Sequence, residues 1–511
     1  MLSRRVWLTT ASSAIAAGTA MSMGSTCAGE NKSTMKKESN KIVIVGGGTA
    51  GIGVAAMLRN EGMVDVSIIE PKNVHYYQPL WTLVGGGVKN NAESAKPMSD
   101  IVPSGVKWVQ KAVNGFDPER NQVTLDDGSS LSYDYLVVAA GIQIDWYVCL
   151  MSQGNVCSLT TCPHYAVISK LSDSHEPCII IVNFSCSLPP QFRDKIPGVV
   201  EGLKQKDSGV VSVYDFSHCE KTWREFQALV DKPQKRLLFT MSPTAIKCAG
   251  APQKIMWLLE DTLRDLGRRA EATIEFWTPA GAMFGVKHYS DQLADLAASR
   301  DVNTVYQREL VHVDVPHKLA TFKDVKTGDI MPPEPYDLLH VAPHMSAPSF
   351  IKESPLANAN GWLDVNPATL QSTKASNVFG IGDCTSTPNS KTAAAITSQA
   401  PVLVHNLTQA IDNKPLNGTY HGYASCPLIV SKNKVILAEF GYGGKLMETF
   451  NPDTGKFPLS WIGQDGAIQH RFFYFLKETF FPAAYWTMWT RGWWYGTNGP
   501  FKPNVTSTTY K

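Results

Sequence analysis

The sequence predicts an α/β chain of two Rossmann-like three-layer domains with a membrane-interface region at its C-terminal end. Three observations carry this reading. The β-branched run Lys41-Ile42-Val43-Ile44-Val45 enters Gly46-x-Gly48-x-x-Gly51 and then a helix-like apolar pattern. A second strand, helix and strand recur at Arg236 to Thr240, Gln253 to Leu266 and Ala272 to Trp277. From Trp461 to Gly496 the chain turns to aromatics interleaved with Arg471, Lys477 and Arg491. At 511 residues and 43% hydrophobic the chain can bury a large core, which excludes disorder, collagen and heptad rods. Its 47 basic and 45 acidic side chains leave a formal charge of +2, too small for a general electrostatic grip on nucleic acid.

Before Glu30 the chain holds Arg4, Arg5 and several Ser and Thr but no Asp or Glu. That is the charge pattern of a mitochondrial transit segment; a secretory leader with Val6 to Ala17 as its apolar stretch is the competing reading. No later apolar run reaches the roughly 18 residues that a membrane-spanning helix needs.

In the glycine triplet, Gly46 permits a tight turn, Gly48 lets the backbone approach a pyrophosphate, and Gly51 lets helix and strand pack closely. The helix start at Thr49 offers unpaired N–H groups to phosphate. The next strand, Val66 to Ile69, runs into Glu70, about 20 residues after Gly51, where an acid accepts hydrogen bonds from a ribose diol. Strand, triplet, helix, strand and acid in this order form a specific dinucleotide-binding signature.

Tyr133 to Gly141 reads as a buried strand running into glycine, and Asn377 to Asp383 as a second one ending in Gly-Asp. Both resemble motifs of the two-dinucleotide-domain flavoprotein superfamily. The resemblance implies FAD rather than NAD, with Asp383 at the ribityl chain. Members that use NAD(P)H carry a second Gly-rich turn midway along the chain. Here the equivalent turn, Pro243 to Pro252, has one glycine and two prolines and offers few N–H groups to a pyrophosphate. What it holds instead is Cys248, beside Lys247 and near a helix N-terminus, a setting that favours thiolate. This points to reduction of the flavin by sulfur chemistry instead of hydride transfer.

His75 to Gly85, Lys247 to Met256, Phe379 to Cys384, Ser390 to Ala395 and Ser425 to Leu428 resemble the mitochondrial type of sulfide:quinone oxidoreductase. The likeness covers Lys41 to about Trp146 and about Lys195 to Gly496. It implies an enzyme that oxidises hydrogen sulfide through two cysteines forming a redox-active disulfide beside FAD. Cys248, Cys384 and Cys426 lie in matched segments, and spacing does not choose among them. The family pattern puts the working pair at Cys248 and Cys426, which leaves Cys384 as a packed thiol. Hydrosulfide would attack this disulfide and leave a persulfide on Cys426, glutathione or another acceptor would take the sulfur, and electrons would reach ubiquinone through FAD.

The same resemblance makes Gln78 and Val113 flavin-contacting residues, and Lys391 the stabiliser of the anionic reduced flavin. No metal site is expected. For the aromatic tail, composition alone leaves an interfacial helix pair, divided by Pro482, and a structural cap both open. A bilayer-borne ubiquinone decides for docking, peripheral or monotopic, on the mitochondrial inner membrane.

The expected organisation is a targeting segment (1–40), a first part of the FAD domain (41–146), an insert (147–194), a second Rossmann-like domain without the NAD fingerprint (195–340), a second part of the FAD domain (341–410) and the C-terminal region (411–511). The insert holds five of the ten cysteines, without zinc-knuckle spacings or a sustained helix or strand period. It reads as an unspliced intron or gene-model error, or at most a disordered lineage-specific insert. Two other functions share parts of the pattern: a type II NADH:quinone oxidoreductase, which requires the missing glycine turn, and a flavin-binding non-catalytic protein disabled by the insert.

Overall fold

The computed structural model describes residues 40–150, 156–157, 191–451 and 466–506, which belong to one unit, Ser39–Lys511. The expected targeting segment lies outside the described residues. Two five-stranded parallel sheets organise the rest. The first runs, in spatial order, Val378–Gly380, Tyr135–Val138, Ile42–Val45, Val66–Ile69 and Val106–Val109. The second runs Val210–Val211, Leu338–His340, Lys235–Thr240, Ala272–Thr278 and Val302–Tyr306. The α/β class predicted from the two strand–helix–strand units is the class the chain adopts.

Parallel strands need helices on both faces, and the central strands are accordingly apolar where they are most deeply covered. Ile42 to Val45 are all buried, as are Leu237, Leu238 and Phe239. The helix Thr49–Asn60 lies in one core with the long helix Ala393–Ile411. The helix Ala251–Asp265 joins the second sheet to the antiparallel pair Ala424–Ser431 and Lys434–Phe440. That pair brings residue 426 to the start of a helix whose chain left it far behind.

The tail departs from expectation at Pro482. Arg471–Phe475, a π-helical turn Leu476–Phe480 and Phe481–Thr487 follow one another without a break. Pro482 sits at the first turn of the last piece. The widened turn before it resets the hydrogen-bond ladder, so the missing N–H of proline falls where a helix start has no partner anyway. Phe475 and Phe480 on this segment, and Trp493 and Phe501 after it, remain 50%, 38%, 52% and 73% exposed. Among the described residues, no helix is long and apolar enough to cross a membrane.

The insert also differs from its strandless reading. Tyr147–Leu150, Val156–Cys157 and Gln191–Asp194 form a three-stranded antiparallel sheet, with Tyr147 directly opposite Asp194; the remaining insert residues lie outside the described residues. Pairing between the two ends of a long excursion leaves no local period, which is why the sequence concealed it. The backbone N–H of Lys195 donates to the carbonyl of Trp146 at 2.9 Å, so the chain leaves and returns at one point. A variant with Trp146 joined to Lys195 is expected to fold and to purify with one FAD per chain. Insolubility, or loss of flavin, would show that the segment supports the fold.

Candidate active site

The strand Ile42–Val45 delivers the chain into the glycine triplet at the mouth of a cavity of about 980 Å³. Gly46 has φ +102°, and a Cβ there would lie 2.6 Å from the carbonyl oxygen of Ala139. At Gly51 a Cβ would lie 1.8 Å from the carbonyl oxygen of Gly46, so only glycine allows the helix to start this close to its strand. Gly48 faces open space on the cavity wall. No side chain caps the helix Thr49–Asn60 and no acid stands in its first turn, leaving its N-terminal dipole and N–H groups available to an anion.

The remaining cofactor candidates line the same cavity: Glu70, Gln78, Val113, Asp383 and Lys391. Glu70 accepts from the backbone N–H groups of Gly47 (2.8 Å) and Lys72 (3.0 Å), and each oxygen retains a further lone pair. Gln78 Oε1 accepts from Lys247 Nζ at 2.8 Å. Asp383 is the informative residue. Its Oδ1 is buried at the cavity wall without a partner, and burial raises its pKa against the lowering charges of Lys391 and Lys247. A sugar-alcohol hydroxyl at that position would satisfy it. Lys391 Nζ donates to the carbonyls of Asp383 (2.6 Å) and Thr385 (3.2 Å) and lies 4.0 Å from the ring centre of Trp362. Open glycine loop, uncapped helix start and orphaned carboxylate oxygen together fit FAD.

Cys248 opens onto this cavity, and the fully buried Cys426 is carried by the antiparallel pair to the Gly250 side of it; both are free thiols. Each sulfur bears on the acidity of the other. The partnership splits their acidity. Cys248 is held well below the usual thiol range, first by the hydrogen bond from Cys426 and then, against burial, by the charges of Lys254 and Lys477. Cys426, hydrogen-bonded to that sulfur and buried, is pushed well above it. These directions, with Lys254 donating to Cys248 Sγ, favour thiolate on Cys248 and thiol on Cys426.

The sequence pointed to Lys247 as the basic neighbour of Cys248. The structure puts Lys254 there instead, with Nζ donating to Cys248 Sγ at 3.2 Å, while Lys247 turns to Gln78 and lies 4.8 Å from the ring centre of Trp81. Side chains in the first turn of a helix lean toward its N-terminus, so Lys254 of Ala251–Asp265 points back at the cysteine. Spacing alone could have suggested it. Lys477 could not have been found that way: it reaches the site from the tail, with Nζ donating to the carbonyl of Pro79 at 2.5 Å. Burial and the charge of Lys254 lower its pKa to about 7, opposed by Cys248. Among the described residues neither Lys254 nor Lys477, 2% and 3% exposed, pairs with a carboxylate. The Cys248 sulfur is the anion that compensates them.

Cys248 also carries φ +50°, rare for a residue with a side chain. Its N–H donates to the carbonyl of Lys391 (2.8 Å), and its carbonyl accepts from Ala251 N–H (2.8 Å) and from the hydroxyl of the buried Tyr214 (3.3 Å). Cys384 sits elsewhere, buried, with its thiol donating to the carbonyls of Ile381 (3.5 Å) and Val138 (3.6 Å) and its pKa pushed up to about 11 by burial.

A dinucleotide loop and an orphaned aspartate on one cavity, with Cys248 in its wall, define a flavin-dependent oxidoreductase of the two-dinucleotide-domain class. The profile of the pyridine nucleotide-disulphide oxidoreductase family matches residues 40–180. The chain belongs to the sulfide:quinone oxidoreductase family. It is 38% identical to the mitochondrial sulfide:quinone oxidoreductase of Dictyostelium discoideum over 93% of this chain and 91% of that one. It is 37% identical to the Mus musculus protein of the same name over 90% and 88%. The crystal structure of sulfide:quinone oxidoreductase from Aquifex aeolicus, only 17% identical, shares the fold with a TM-score of 0.63 over 91% of this chain and 93% of that one. The protein is therefore a flavoenzyme whose cofactor is FAD.

Proposed function

We propose that this chain oxidises hydrogen sulfide at Cys248 and Cys426 and passes the electrons to ubiquinone at the mitochondrial inner membrane. The observation that carries the reading is Cys248, in the wall of the flavin cavity with Lys254 donating to its sulfur, and Cys426 packed behind it against Gly250. The turn that would bind a second dinucleotide is occupied by the Cys248 segment itself.

In the oxidised pair, hydrosulfide attacks Cys426 Sγ. A new S–S bond forms there, the Cys248–Cys426 bond breaks, and its electron pair leaves on Cys248 as thiolate. Lys254 and Lys477 hold that charge. A thiolate acceptor such as glutathione then takes the outer sulfur from the Cys426 persulfide and releases Cys426 as thiolate. Re-forming the disulfide gives up two electrons. When bound, FAD supplies the two-electron chemistry that links the cysteine pair to a quinone. Gly48 and the start of the helix at Thr49 would hold its pyrophosphate, Asp383 would hold its ribityl chain, and Lys391 would balance negative charge on the ring. The exposed aromatics of the tail, Phe475 and Phe480, also line the cavity. They therefore give a lipid-borne quinone an apolar way in, and the tail a docking face.

The test is anaerobic. Hydrogen sulfide is expected to bleach the flavin absorbance at a micromolar dose and a short-chain ubiquinone to restore it, whereas NADH leaves it unchanged. Bleaching by NADH, or a flavin inert to sulfide, would overturn the reading.

A further inference from the structure

The tail does more than face outward. Its buried residues run along the whole dinucleotide-binding helix. His75 Nδ1 lies 2.9 Å from the carbonyl oxygen of Gly47, and Nε2 lies 2.6 Å from the hydroxyl of Tyr485, which is 3.0 Å from Thr49 Oγ1. Burial lowers the pKa of His75 to about 4, so the ring is neutral and carries one N–H. A carbonyl only accepts, hence Nδ1 donates to Gly47 and Nε2 accepts from Tyr485. The Tyr485 proton is then spent, so its oxygen accepts from Thr49. Every hydrogen in the chain Thr49, Tyr485, His75, Gly47 has one direction.

Two further anchors follow. Trp489 Nε1 donates to the carbonyl of Thr49 at 2.9 Å, and its ring fills the space that a Cβ on Gly53 would enter at 2.1 Å. Asn60 Nδ2 donates to the carbonyl of Arg491 at 2.9 Å. The helix Thr49–Asn60 is thus held by the tail at its first residue, its middle and its last.

We propose that the segment Phe481 to Arg491 is a clamp on the dinucleotide loop, with Tyr485 and His75 as positioning residues for FAD. The proposal rests on FAD binding alone and not on the sulfide chemistry. Gly47 and Thr49 flank Gly48, where the pyrophosphate meets backbone. Fixing their carbonyl and hydroxyl pre-orders the loop, so that less order is lost when the cofactor binds.

The test uses the oxidised, full-length holoenzyme without sulfide or quinone, and follows the growth of free FAD fluorescence after dilution. Tyr485→Phe keeps the ring against Tyr77, 4.3 Å between centroids, and removes only the hydroxyl. It is expected to release FAD roughly 5- to 30-fold faster, as loss of one or two buried hydrogen bonds would give. His75→Leu breaks the same chain and is expected to speed release as well, and the double variant His75→Leu/Tyr485→Phe is expected to speed it by less than the two single effects multiplied. Trp493→Ser, exposed and outside the chain, is expected to leave release unchanged. Unchanged release in Tyr485→Phe, multiplicative effects in the double variant, or equal acceleration in Trp493→Ser would each overturn the clamp.

Discussion

Cys248→Ser and Cys426→Ser are each expected to lower sulfide-dependent quinone reduction by roughly 10³-fold or more while FAD stays bound at one per chain. In the proposed exchange the two variants lose different halves. Without Cys426 no sulfur is present to receive hydrosulfide; without Cys248 no thiolate leaves and no pair of electrons is delivered. Serine preserves size and polarity, so flavin content reports folding and turnover reports chemistry. Cys384→Ser is expected to retain activity, because its thiol is buried against two carbonyls rather than beside Cys248. Should Cys384→Ser abolish turnover and Cys426→Ser preserve it, the pairing is wrong.

Replacing Lys254 by Met should expose how the Cys248 thiolate is held. A hydrogen bond to a charged partner contributes about 1.5–3 kcal/mol, equivalent to about one to two pKa units. The sign follows from the direction of the shift. The native pKa of Cys248 is depressed, so thiolate is present down to a pH well below that of a free thiol. Removing the ammonium at 3.2 Å moves the onset upward. In the dithiol enzyme, alkylation of Cys248 by iodoacetamide should therefore rise with pH along a curve displaced upward by about one to two units, with sulfide turnover at pH 7 about 10-fold slower. Lys477→Met should displace it the same way by less, since its hydrogen bond is to Pro79. An alkylation profile unmoved by Lys254→Met would mean that the hydrogen bond from Cys426 alone sets the thiolate.

What the sequence made legible was local. The glycine triplet, the strand before it and Glu70 after it stand within one strand–helix–strand unit, where spacing encodes geometry. The impoverished turn Pro243 to Pro252 was equally readable, because a missing glycine and added prolines have direct backbone consequences. Cys248 stood out beside Lys247 and a helix start, whereas Cys426 read as a strand-end cysteine before a proline until likeness to a family paired the two; the antiparallel strands that carry residue 426 to the helix start at Ala251 are a tertiary fact. Lys477 and Pro79 meet across 398 residues, and His75 and Tyr485 across 410. No periodicity reports such contacts. The reading of Pro482 as a helix break failed for a different reason: the rule is sound for an undisturbed α-helix, and the π-helical turn Leu476–Phe480 removes its premise.

The most direct test of the central claim is to locate the sulfur. The oxidised enzyme is treated anaerobically with one equivalent of sulfide and no thiol acceptor, alkylated at once, digested and weighed by mass spectrometry. The account predicts one added sulfur atom on the peptide containing Cys426 and simple alkylation of Cys248. Added sulfur on Cys248, on Cys384 or on any other cysteine, or bleached flavin with no added sulfur at all, would contradict it.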